Sequence, residues 1–147
     1  MTAKEYVEQI KKIDTKIKNK HIEKLMKKQQ YFEIATSVCP STEMERVQSS
    51  SNGQKMADAV INGVEIERKI DQEIIALEDK RQSIIANIER LSEPEYDVLH
   101  LIYVQYLTFD EAADKRKKSK RWVVSTHGTA LQNLEKISNC RELREFA

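Results

Sequence analysis

A seven-residue recurrence is the strongest pattern in the chain. Met56, Gly63, Ile70, Leu77, Ile84 and Leu91 stand seven apart, and Val60, Ile74 and Ile88 each follow a member of that series by four. Glu67 and Arg81 fill the two remaining places. Spacing of this a/d kind predicts one long helix over residues 54–91 with a coiled-coil seam along it. An earlier stretch, residues 2–38, holds neither Gly nor Pro and opens on Thr2-Ala3-Lys4-Glu5, the S/T-x-x-E pattern of a capping box. Tyr6, Ile10, Ile13 and Ile17 follow at steps of four, three and four; the phase then slips near His21 and Ile22 and resumes through Leu25, Phe32 and Val38. A second long helix is predicted there. At ~1.5 Å per residue each arm comes to roughly 55 Å.

Between them lies CPSTEMERVQSSSNG, residues 39–53, with Pro40, three consecutive serines and Asn52-Gly53. This reads as a connecting loop, with room for one helical turn around Glu43 to Val47. Two arms of equal length on a short connection predict an antiparallel helical hairpin in which each seam covers the other. An oligomer that pairs arms between subunits satisfies the same pattern, so a homodimer through the coiled-coil arm is the alternative. From Ser92 a separate unit begins. Ser92-Glu93-Pro94-Glu95 is a second capping-box pattern, and Val98, Leu99, Ile102 and Tyr106 mark the apolar side of the helix it opens. Thr108-Phe109-Asp110-Glu111 is a third, opening a short helix through Ala112 and Ala113. Ser119 caps a last helix, on which Val123, His127, Ala130, Leu134 and Ile137 share one stripe. The chain is therefore expected to be all-α: an arm over residues 1–91 and a small domain over residues 92–147.

Composition narrows the function classes. Glycine and proline total five residues and aromatics 6%, the bias of extended amphipathic helices. No run approaches the ~18–20 apolar residues that span a bilayer, and the opening MTAKEYVEQIKK lacks the apolar stretch of a secretory signal. Cys39 and Cys140 form no CxxC or Cys/His cluster, which argues against a disulfide framework or zinc site and for a cytoplasmic protein. No nucleophile elbow, phosphate-cradling Gly loop or H-E-x-x-H is present, so neither an enzyme nor a cofactor is expected. His127 is expected to pack on the apolar stripe, and Trp122 to pack at its edge.

Net charge is +1, yet this is a cancellation. Residues 2–38 carry nine Lys and five acids, residues 39–91 seven bases and ten acids, and residues 92–147 nine of each. Within the last segment six of the seven residues from Lys115 to Arg121 (Lys115, Arg116, Lys117, Lys118, Ser119, Lys120, Arg121) are Lys or Arg. They fall at the turn between two predicted helices and at the start of the second. That is the layout of a helix-turn-helix whose recognition helix enters DNA. With Val123 at the centre of the buried stripe, Arg121, Ser125 and Gly128 lie opposite at 100° per residue, flanked by Trp122, Val124 and Thr129. Arg121 suits a bidentate contact to guanine, Ser125 a base or phosphate, and Val124 a thymine methyl. Gly128 leaves room for close approach, and the amides at the Ser119 helix start add phosphate-binding potential.

At these residues a resemblance emerges. Glu95-x-x-Val98-Leu99-x-Leu101-x-Tyr103, Leu107-Thr108-x-x-Glu111-Ala112-Ala113, Ser119-x-x-x-Val123 and Ala130-Leu131-x-x-Leu134 together resemble region 4 of bacterial sigma factors. The chain as a whole is similar to small late-transcription regulators of phages and prophages, of the ArpU and RinA type, through Arg121-Trp122-Val123, His127-Gly128-Thr129-Ala130-Leu131 and the polar stretch Glu45 to Ser50. The resemblance implies double-stranded promoter DNA as partner, read by Lys120, Arg121, Trp122, Val124 and Ser125, with bacterial RNA polymerase as a further partner and the nucleoid as location. One departure stands out. Sigma-like turns carry an apolar residue, a Gly and another apolar residue where this chain has Arg116, Lys117 and Lys118, so a looser or longer turn is expected here. The competing reading is an interaction protein that docks on polymerase or another partner without sequence-specific DNA binding.

Overall fold

A computed structural model describes residues 1–37 and 49–138 of the chain. Its elements are helix α1 (Ala3–Ser37), α2 (Ser49–Glu89), α3 (Glu93–Leu99), a π-helical turn (His100–Val104) that continues α3, α4 (Phe109–Arg116) and α5 (Lys120–Ser138). Among the described residues there is no strand, and the protein is all-α as expected. Two compact units divide it: Met1–Thr15 with the chain from Glu78 onward, and Lys16–Leu77. α1 and α2 contribute to both, and the contacts group residues 78–91 with the segment that begins at Ser92.

In the first unit the Thr2 capping box forms. The Glu5 amide donates to the Thr2 hydroxyl (3.3 Å), and the Thr2 amide donates to the Glu5 carboxylate (2.8 Å). These bonds hold the Glu5 carboxyl below the usual carboxylate range. Tyr6, Val7 and Ile10 of α1 are fully buried, as are Ile84 and Ile88 of α2, with Ile13, Ile85 and Leu91 close behind. Full burial of each such side chain contributes ~1.5–3 kcal/mol. Two polar contacts lie along the same helices: Asn87 Nδ2 donates to the Tyr6 hydroxyl at 2.7 Å inside the core, and Arg81 Nε donates to Asp14 at 2.6 Å. The second Asp14 oxygen accepts the Tyr106 hydroxyl.

α3 starts at Ser92, but its side chain makes no capping bond. The reciprocal half of the expected box is lost because the Glu95 carboxylate accepts from Asn133 Nδ2 of α5 at 2.7 Å, and Pro94 at the second helical position removes the other amide that the Ser92 hydroxyl could accept. The expected continuous apolar stripe also changes. The Gln105 amide bonds back to the His100 carbonyl at 3.0 Å, an i→i+5 link that advances the register by one residue. Leu101 is therefore buried, whereas Tyr106, expected on the apolar side, is 43% exposed with a left-handed φ of 59°.

The second unit keeps the four-three spacing of α1 without the expected slip. Its inward positions after Ile17 are taken by Lys20, Lys24 and Tyr31, while Ile22, Leu25 and Phe32, expected to resume the seam, are exposed. Lys24 Nζ reaches both oxygens of Asp71 (2.8 and 2.9 Å) and Lys20 Nζ reaches Glu73 (2.6 Å), so long aliphatic stems lie along α2 and the ammonium groups find carboxylates. From α2, Ile70 and Ile74 are buried. A Cβ on Gly63 would lie 3.1 Å from the Tyr31 ring, so the aromatic fills the gap the glycine leaves. Met56 and Val60, read as seam residues, are 38% and 51% exposed; Phe32 and Ile34 of α1 are exposed too, and burial along the seam ends at Gly63. Ser49 to Gly53, read as loop, belong to α2, and Gly53 does not take the positive φ with which a glycine ends a helix. The rest of the expected loop, with Val38, Cys39 and the turn around Glu43 to Val47, lies outside the described residues, as does Cys140.

Candidate nucleic-acid interface

The basic run sits on a corner built by α4 and α5. Thr108 starts α4 with a complete capping box: its hydroxyl accepts the Glu111 amide (3.3 Å) and its amide donates to the Glu111 carboxylate (2.8 Å), which holds that carboxyl below its ordinary range. At the other end Lys117 takes the left-handed conformation (φ 52°, ψ 42°), and the Lys118 amide closes on the Ala113 carbonyl at 3.0 Å. This is the αL ending usually given to glycine. The expected looser or longer turn is thus not found. Three residues join the helices, and Ser119 Oγ accepts the Trp122 amide at 3.2 Å to start α5. A non-glycine residue in this conformation costs ~1–2 kcal/mol. The core beneath offsets it: Val98, Leu101, Ala112, Ala113 and Val123 are buried together, with Ile102, Leu107, Phe109 and Trp122 packed around them.

α5 presents two faces. Val123, Ala130 and Leu134 are buried, while Arg121, Val124, Ser125 and Thr129 are exposed, as the periodicity predicts; Gly128, expected opposite the buried stripe, is half-buried. Nothing lies within 4 Å of the position a Cβ on Gly128 would occupy, so packing within the chain does not require glycine there. The Thr129 hydroxyl is turned back onto the Ser125 carbonyl at 3.1 Å.

The cations of the run divide by their partners. Arg116 Nη1 pairs with Asp97 of α3 at 2.7 Å and is a tie within the fold. Lys120 Nζ meets Asp110 at 3.0 Å, an exposed pair of the kind worth ~0–1 kcal/mol and readily exchanged. Lys115 Nζ donates to Gln105 Oε1 at 2.7 Å, and Lys118 Nζ lies 5.6 Å from the centre of the Trp122 ring. Among the described residues Lys117 and Arg121 make no ion pair. Trp122 itself is half-buried against the core cluster, a packing position as expected. His127 also packs inward: Nε2 is 2.9 Å from the Tyr103 hydroxyl, and the imidazole stacks on Tyr103 and meets Phe109 edge-on. Burial, with Lys4 adding to it, lowers the His127 pKa below its ordinary value; burial likewise pushes Tyr103 up to about 12.

Sequence reasoning missed the Asp97–Arg116 and Glu95–Asn133 ties and the Asp14 junction with Arg81 and Tyr106. For the junction a signal existed: Arg81 occupies a heptad position where an apolar residue is the norm. No described helix is long and apolar enough to cross a membrane. Comparison with protein-family models, curated proteins and solved structures returned no match for this chain.

Proposed function

We propose that α3 to α5 act as a sigma-region-4-like helix-turn-helix that binds double-stranded DNA, and that the chain is a phage-type transcription regulator acting at promoters. The observation that carries this reading is the exposed face of α5. Arg121, Val124, Ser125 and Thr129 stand on a capped helix start directly after a turn of cations, and Gly128 stands among them with no packing need to be glycine. An internal helix glycine costs ~0.5–1 kcal/mol relative to alanine, and packing within the chain gives no reason for it here. Close approach of a DNA backbone or base edge supplies one. Lys117 and Lys118 reach phosphates, Lys120 exchanges Asp110 for phosphate, and Arg121 reads a base edge in the major groove. No chemical step is involved.

Fluorescence anisotropy with a labelled duplex tests it. Affinity should fall steeply as salt rises. Arg121→Ala should cost ~1–3 kcal/mol on a selected site and relax its sequence preference, while Lys117→Gly, which retains the turn, should weaken all duplexes by a similar factor. Absence of affinity for any duplex at low salt would sink the reading. A second reading, an interaction protein that docks on bacterial RNA polymerase, draws on the internal pairing of Arg116 and Lys120 with Asp97 and Asp110. Polymerase retention by the Arg121→Ala protein, with no duplex affinity in the unaltered one, would favour it.

A further inference from the structure

A groove of about 540 Å³ opens within the first unit between α1 and the π-helical turn. One wall is a stripe of α1: Glu8, Lys11, Lys12 and Thr15 recur at steps of three, one and three and share one side of the helix. The other wall is Ile102, Tyr103 and Tyr106. Both tyrosines are pinned through their hydroxyls. The Tyr103 hydroxyl lies 2.9 Å from His127 Nε2, and Tyr106 donates to Asp14, whose other oxygen already takes Arg81. With those hydroxyls engaged, aromatic ring is what this wall offers. Tyr103 is half-buried with its ring stacked on His127, and Tyr106 is 43% exposed. The Thr15 hydroxyl is turned back onto the Lys11 carbonyl at 2.9 Å.

The charges around the groove do not cancel. Glu8 meets Lys4 at 3.8 Å, and Asp14 is taken up by Arg81 and Tyr106, whereas Lys11 and Lys12 make no ion pair among the described residues. Two unpaired ammonium groups and two fixed aromatic rings therefore line one space, and ligand sites commonly enclose ~300–1,000 Å³. A flat ring gains by stacking on tyrosine, and a doubly charged anion gains from two ammonium groups. A simple anion would leave the rings and Ile102 unused, and an uncharged ring would leave the lysines unused. A nucleotide joins the two chemistries in one molecule. We infer that this groove binds a mononucleotide, with its base on the tyrosine rings beside Ile102 and its phosphate on Lys11 and Lys12. The inference stands apart from the DNA reading.

Titration of the full chain with adenosine monophosphate, followed through its amide NMR spectrum, tests it. Saturable shifts are expected at Lys11, Lys12, Thr15 and Ile102 to Tyr106, with half-saturation at ~1 mM or below. Adenosine and inorganic phosphate, each holding half of the ligand, should bind at least about tenfold more weakly. Lys11→Gln combined with Lys12→Gln should weaken adenosine monophosphate about tenfold. Tyr106→Leu, which removes the ring, should do the same, while Tyr106→Phe, which keeps the ring and loses only the Asp14 bond, should stay within about threefold. The substituted positions are exposed, so the circular-dichroism signal of the variants should stay helical. No saturable shift at the groove, equal affinity for phosphate alone, indifference to the lysine pair, or an equal loss in Tyr106→Phe and Tyr106→Leu would each overturn the proposal. Displacement of the nucleotide by a DNA duplex would assign the groove to DNA and overturn it too. A chain that takes the nucleotide but no duplex would remove the DNA reading alone, and duplex affinity with an unresponsive groove would remove the nucleotide site alone.

Discussion

In the first unit α1 and α2 contribute Tyr6, Ile10, Ile84 and Ile88 to the core, all fully buried; in the second the four-three spacing of α1 continues through Lys20 and Lys24, paired with Glu73 and Asp71. One heptad register therefore runs through two chemistries. Where the inward positions are isoleucine, burial supplies the stability. Where they are lysine, geometry persists while little net energy is gained, because partly exposed ion pairs contribute ~0–1 kcal/mol each. The apolar residues displaced from the seam then stand in water on another flank. Periodicity fixes which way a residue points relative to its neighbours, but not which of two periodic faces a partner helix will cover.

Truncating one inward residue of each unit separates the two most directly. Ile88→Ala should cost ~2–5 kcal/mol in urea denaturation, while Lys24→Ala should cost no more than ~1 kcal/mol. Equal costs would mean that both units are held the same way. Gly63→Leu tests the contact of the Tyr31 ring with α2. Its side chain must displace the Tyr31 ring, and the expected loss is ~1–3 kcal/mol, read from the same titration. A smaller, opposite effect is expected in the first unit. Lys117→Gly should raise the denaturation midpoint by up to ~1 kcal/mol equivalent, since glycine adopts φ 52° without strain. The smallest effect concerns His127. Its folded pKa lies below the unfolded value, so the unfolded chain binds the proton first; stability is full above ~6.5 and declines as pH falls from there toward the folded value. Between pH 7 and pH 5 the His127→Asn protein should lose less stability than the unaltered one.

Much of the fold was legible because local chemistry and tertiary packing agree. Thr2 with Glu5 and Thr108 with Glu111 formed the capping boxes their spacing predicts, and Ser119 opened the last helix. The stripe on α5 was legible for the same reason. The failures occurred where a distant group outbid the local one. Glu95 bonds Asn133 instead of closing its own cap, and the π-helical turn moves Leu101 inward and Tyr106 outward. On the candidate interface the sequence supplied the positions, but not the sorting of cations. Asp97 and Asp110, which take up Arg116 and Lys120, lie 19 and 10 residues from their partners, and no periodicity links them.

The fit of Tyr31 against Gly63 has a consequence for alignment. A regular heptad seam permits sliding: a shift of α1 by seven residues against α2 returns similar residue types to similar holes. Such a shift would carry the Tyr31 ring to Met56 or Ile70, where a side chain already occupies the space that Gly63 leaves open. The single missing side chain acts as a notch that one ring can enter at one setting. It selects a unique alignment for a pair of helices whose pattern alone would accept several.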